Sequence, residues 1–148
     1  MISLPNVKET VDYSDLTTEN YKQLLNETTV EKIEYYLEEN LYISDIIDFI
    51  NKYNEIAFCE HYDEYVDSGE QYSYEAVDAF IEEFGVDNLG GFLDAYRGEW
   101  ESKADYAENY VTDCYSIDLP GFIEIDWENT FDNLDCIYVN GFVFDSQF

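Results

Sequence analysis

Positive charge is what this sequence most lacks. Its 148 residues hold six Lys and Arg against thirty-five Asp and Glu, a formal net charge of −29. The shortage is uneven. No Lys or Arg occurs from Tyr53 to Tyr96, and none from Ala104 to Phe148. Nucleic acid and anionic membranes repel such a surface, so neither is expected as a direct ligand. Histidine is almost missing too, His61 being the only one. Beside Cys59 in an acidic stretch, a lone His reads as a polar surface residue, not a catalytic base. "CEH" alone is no zinc ligand set. The cysteines, Cys59, Cys114 and Cys136, form no CxxC and read as reduced, buried thiols of a cytoplasmic protein. "MISLPNVKET" has no basic n-region followed by an apolar run, so no secretory signal is expected. No apolar run approaches the roughly 18 residues of a membrane span. GxGxxG and P-loop signatures are also missing.

Apolar and aromatic side chains are plentiful. Hydrophobic residues make up 46 % of the chain and aromatics 18 %. That is enough to offset chain entropy, which excludes an acidic disordered tail. The acids must therefore coat a folded body.

Periodicity points to an α+β fold, mostly helical, acidic and elongated, with a C-terminal β-hairpin. "ENYKQLLNE" reads as a short helix. A second helix, "TTVEKIEYYLEEN", has Thr28 and Glu31 as a capping box and Val30, Ile33 and Leu37 as its apolar face. Ser44 is expected to cap a third, "DIIDFINKY", with Ile46, Ile50 and Tyr53 inward. "EIAFC" reads as a strand, and "CEHYDEYVDSGEQYSYE" as a loop leading into a helix capped by Ser73. That helix carries the stripe Val77, Phe80, Ile81 and Phe84, and Gly85 ends it. A short helix is expected around "NLGGFLDAY" and a longer one over "SKADYAENYVTDC", the latter burying Ala104, Ala107, Val111 and Cys114. "LPGFIEI" reads extended, Asp126 caps "WENTFDNL", and Asn140-Gly141 joins "CIYV" to "FVFD" as a type I′ hairpin. The expected division is a helical N-terminal lobe, 1–56, and a second region, 57–148.

The acids recur on helical faces. Glu27, Glu31, Glu34 and Glu38 form one stripe, Glu75, Asp78 and Glu82 a second, and Glu101, Asp105 and Glu108 a third. A solvated polar face normally alternates Glu with Lys at i, i+4; like charges there cost some tenths of a kcal/mol per pair. Three helices repeat that cost. Calcium fits poorly: read as EF-hand loops, "DWENTFDNLDCI" puts Phe131 at the Gly position and Ile137 at the final Glu, and "DEYVDSGEQYSY" puts Ser68 and Tyr74 there. Among so many acids, a pair suited to glycoside hydrolysis carries no information. A halophilic or calcium-binding acidic domain without such a partner stays open as an alternative.

DNA mimicry suits the arithmetic. Duplex DNA carries one charge per ~1.7 Å of axis, so a charge of −29 corresponds to roughly 50 Å of duplex. A stripe with one acid every four residues advances about 6 Å per charge, too sparse for one DNA strand at ~3.4 Å, so helices must cooperate.

The C-terminal half resembles a known family. "AFIEEFGVDNLGGFLDAYRGEWESKADYAENYV", "LPGFIEIDWENTFDNL" and "VNGFVFDS" together resemble the ArdA antirestriction proteins over roughly residues 75–146. The matching positions are Phe92, Asp94, Ala95, Tyr96, Gly98 and Glu99, then Ser102, Asp105 and Ala107. Ile125, Asp126, Trp127, Glu128 and Leu134 follow, with Gly141, Phe142, Val143 and Phe144 last. Where that family opens with a β-rich lobe, this chain reads as helices. The resemblance implies a DNA mimic without enzymatic activity, cofactor or metal, able to form a homodimer. It would occupy the DNA-binding groove of a type I restriction-modification enzyme in the bacterial cytoplasm; a CRISPR effector is the alternative target. The acids expected to stand in for phosphates are Glu60, Asp63, Glu64, Asp67, Glu70, Glu75, Asp78, Glu82, Glu83, Asp94, Glu99, Glu101, Asp105 and Glu108. Trp127, Phe142 and Phe144 are expected in the core, Tyr96 and Trp100 packing the turn, and Arg97 and Lys103 in local ion pairs.

Overall fold

A computed structural model describes residues 13–116 and 118–148. The reading of "MISLPNVKET" lies outside them. Helices dominate, and a small antiparallel sheet lies near the C-terminus. The chain forms two compact units, one ending at Glu64 and the other beginning at Tyr65.

The first unit holds α1 (Tyr21–Leu24), α2 (Glu27–Glu38), α3 (Ile43–Lys52) and the start of α4 (Glu55–Gln71). Its core joins Ile33 and Tyr36 of α2, Ile46, Phe49 and Ile50 of α3, and Phe58 and Tyr62 of α4. Tyr36, Phe49, Phe58 and Tyr62 meet edge-on or tilted, with centroids 5.0–6.4 Å apart, as ring quadrupoles favour. The face of α2 is shifted from expectation: Thr29, Ile33 and Tyr36 are buried, whereas Val30 and Leu37 are only half-buried. Tyrosine wins that face because its ring packs while its hydroxyl reaches a partner. Asn40, at φ 67°, ends the helix, and the Leu41 N–H returns to the Tyr36 carbonyl at 3.1 Å.

Helix starts differ from the expected caps. Thr28 lies inside α2, whose N-cap is Asn26; the Asn26 N–H donates to Glu55 Oε1 at 2.8 Å. Glu55 is buried and also accepts from the Tyr13 hydroxyl at 3.1 Å. Its carboxylate thus sits where the positive end of the α2 dipole favours it. α3 begins one residue before Ser44, with Tyr42 at the cap position. "EIAFC" is not a strand. It opens α4, with Asn54 Oδ1 accepting from the Ala57 N–H at 2.7 Å. The expected boundary at 56/57 falls inside this helix.

The second unit holds the end of α4, α5 (Tyr74–Phe84), a 3₁₀ turn (Val86–Gly91), α6 (Phe92–Ala95) and β1 (Tyr96–Glu99). After these come α7 (Lys103–Cys114), α8 (Trp127–Phe131), β2 (Cys136–Val139) and β3 (Phe142–Asp145). Two helix starts match expectation: Ser73 and Asp126 accept from the N–H of Ala76 and Asn129 at 2.9 and 3.0 Å, and Ser102 caps α7 in the same way, accepting from the Asp105 N–H at 3.1 Å. Gly69 lets α4 approach Tyr74, since a Cβ there would fall 2.3 Å from the ring.

The hairpin is the expected one, with Asn140 and Gly141 at φ 52° and 91°. The sheet adds a third strand, in the order β1-β3-β2. β3 is central and buried on both faces. Phe144 points to Phe80 of α5 and Phe92 of α6, at centroid distances of 5.6 and 6.1 Å. Val143 points the other way, to Tyr106 and Ala107 of α7 and Phe131 of α8. Phe142 and Phe144 are core residues, and half-buried Trp127 packs against the Val143 side. On α7 the buried residues are Tyr106 and Ala107; Ala104 and Val111 are half-buried and Cys114 is exposed, against expectation. Cys59 and Cys136 are half-buried, and all three thiols are free. "LPGFIEI" forms a turn at Gly121-Phe122 and pairs with no strand among the described residues.

A candidate acidic interface

Thirteen of the fourteen candidate acids are exposed, and Asp78 is half-buried. Glu60, Asp63, Glu64, Asp67 and Glu70 lie on α4, and Glu75, Asp78, Glu82 and Glu83 on α5. Asp94 is on α6, Glu99 ends β1, and Asp105 and Glu108 are on α7. Glu101 precedes α7, so the third expected stripe is shorter than its spacing suggests. The α2 stripe, Glu27, Glu31, Glu34 and Glu38, is exposed throughout.

The helical state of residues 59–71 changes the charge density. Glu60, Asp63 and Glu64 advance only about 3 Å of helix axis per charge, at ~1.5 Å per residue. On α5, Glu75, Asp78, Glu82 and Glu83 span about 12 Å, or about 4 Å per charge. A DNA strand advances ~3.4 Å per phosphate. Each helix therefore approaches the axial charge density of one strand, because i+3 and i+4 spacings are combined with an adjacent pair, Asp63-Glu64 on α4 and Glu82-Glu83 on α5.

Tyrosine hydroxyls supply hydrogen-bond donors that cations would otherwise provide. Tyr36 donates to Asp63 at 2.7 Å, Tyr65 to Asp78 at 3.0 Å, and Tyr74 to Glu70 at 2.8 Å. A neutral donor fixes a carboxylate without cancelling its charge. Burial pushes the Tyr36 hydroxyl far above its ordinary pKa, with the Asp63 hydrogen bond adding to the shift, so it stays a donor at neutral pH. Sequence reasoning missed this pairing. Its one local sign is Glu70-to-Tyr74 spacing; Tyr36 and Asp63 are brought together only by the packing of α2 on α4.

Three of the described cations are held by neighbours. Arg97 pairs with Asp145 at 3.2 Å and donates to the carbonyls of Asp94 and Tyr96. Lys103 lies 5.8 Å from the centroid of the Phe131 ring, a cation–π contact where an ion pair was expected. Lys32 donates to the Cys59 carbonyl at 2.8 Å. Gly98, at φ 100°, lets the chain turn under Trp100, whose Nε1–H donates to the Arg97 carbonyl at 2.8 Å. His61 is largely buried, not a surface residue, with Nδ1 3.7 Å from Glu64 Oε2. Among the described residues, no group of three or more His, Cys, Asp or Glu side chains is arranged to hold a metal ion. No described helix is long and apolar enough to cross a membrane. No protein-family model, curated protein or solved structure matches the chain.

Proposed function

We propose that this protein is a DNA mimic, which inhibits a DNA-binding defence enzyme by occupying its duplex-binding groove. A type I restriction-modification enzyme in the bacterial cytoplasm is the proposed target, following the ArdA-like residues. The observation that carries the reading is the α5 row, four carboxylates at about 4 Å of axis per charge with no Lys or Arg on the helix. The mechanism is competitive. Carboxylates meet the Lys and Arg that otherwise hold phosphates, and no bond is made or broken. Contacts of this type position a ligand without reading bases, so inhibition is independent of the enzyme's recognition sequence.

The test is fluorescence anisotropy of a labelled duplex bound to a purified type I enzyme. Added protein is expected to displace the duplex, and less effectively as salt rises. The same titration on a DNA-binding CRISPR effector decides between the targets. Displacement from neither enzyme sinks the proposed targets.

A further inference from the structure

Among the described residues, the most exposed large apolar side chain lies outside the acidic helices. Between α7 and α8 the chain makes a tight turn, in which the Ile123 N–H donates to the Pro120 carbonyl at 3.0 Å. At its tip Phe122 is 82 % exposed, flanked by Leu119 at 47 % and Ile123 at 46 %. A Cβ added at Gly121 would meet nothing within 4 Å, so the space beside that position is open. Exposed Asp118 and Glu124 bracket it, and the chain holds no Lys or Arg from Ala104 to its end.

We infer that this turn is a second contact of the interface: Phe122 enters an apolar pocket rimmed by Lys and Arg on the proposed DNA-binding partner. The inference rests on the DNA-mimic reading and adds an apolar anchor to it. Charge complementarity selects the occupant. A second copy of this chain, with six Lys and Arg among 148 residues, is a poor source of a basic rim. An anionic lipid surface repels Asp118 and Glu124. A basic protein groove attracts them, and an aromatic side chain closed off from water is the usual energetic centre of such a contact. The acids then supply steering and the ring supplies residence time.

The experiment places a photo-crosslinking p-benzoylphenylalanine at Phe122 in the full chain, and separately at Glu82 on α5, in cells carrying a type I restriction system. Crosslinks from both sites to the same DNA-binding protein, suppressed in lysate by excess duplex DNA, are expected. Phe122→Ala is then expected to weaken binding to that protein tenfold or more, chiefly through faster dissociation. A crosslink from Glu82 but not Phe122 keeps the mimic reading and overturns the anchor. A product of twice the chain mass from Phe122, or a crosslink to lipid, assigns the turn another occupant and overturns the inference. No DNA-sensitive crosslink from either site overturns both. Equal affinity of wild type and Phe122→Ala overturns the anchor alone.

Discussion

Neutralising the acids of α5 is expected to stabilise the protein and, on the proposed DNA-mimic function, to abolish inhibition of the target enzyme. The variant is Asp78→Asn, Glu82→Gln and Glu83→Gln together, with Glu75 kept because a first-turn acid favours the helix dipole. Asp78 has like-charged neighbours at i−3 (Glu75) and i+4 (Glu82), and each pair costs roughly 0.2–0.5 kcal/mol. Glu82 and Glu83 lie in the last turn, facing the negative end of the dipole, at roughly 0.3–1 kcal/mol each at low salt. Relief sums to about 1–3 kcal/mol. The Tyr65 hydrogen bond, 3.0 Å to Asp78, survives to Asn as a neutral bond and returns about 0.5–1 kcal/mol of that gain. Urea unfolding at low ionic strength should thus show a gain of up to about 2.5 kcal/mol, shrinking towards zero near 1 M salt. Loss of stability at low salt would show that these carboxylates hold the fold together, and the trade of stability for surface charge would be refuted.

Three other substitutions or titrations test the fold beneath that surface. Glu55→Ala leaves the Asn26 N–H and the Tyr13 hydroxyl without their buried acceptor, and should cost about 3–5 kcal/mol by urea unfolding, with Glu55→Gln markedly milder. Gly98→Ala should cost about 1–3 kcal/mol, because φ is 100° and the new Cβ would lie 3.2 Å from Trp100 Nε1; a shifted Trp fluorescence maximum would accompany it. Burial, with Cys136 adding to it, pushes Tyr106 up to about 12, and burial beside Glu55 does the same for Tyr13. A raised folded-state pKa gives stability that is complete below ~10 and is lost as pH climbs towards the folded value. Thermal melts should therefore show Tm falling above pH ~10, and Tyr106→Phe should flatten that fall.

Short-range signals were legible where one residue decides the geometry. Ser73 and Asp126 cap as expected, Gly85 ends α5, and Asn140-Gly141 turns the hairpin. α4 was missed because "EIAFC" read as a strand and the acid-rich "CEHYDEYVDSGEQYSYE" as a loop. The rings of Phe58, Tyr62 and Tyr65 keep a helical spacing that Gly69 continues, leaving room for the Tyr74 ring. β1 was missed because "YRGE" is short and poor in β formers; it is a strand only through its irregular pairing with β3. At the candidate site, the acids and their exposure could be read from composition. The hydroxyls that orient them could not, because Tyr36 and Asp63 lie 27 residues apart in sequence. The missing cations also gain a physical reading: at three of these acids the donor is a neutral tyrosine, so the surface keeps its charge.

The most direct measurement is retention of a partner on immobilised protein, followed by elution with duplex DNA. A DNA mimic is predicted to hold a DNA-binding protein that leaves as duplex is added, with Asp78→Asn, Glu82→Gln, Glu83→Gln protein retaining far less. A partner that stays bound in saturating duplex, or no DNA-binding protein retained at all, would contradict competition for a shared groove.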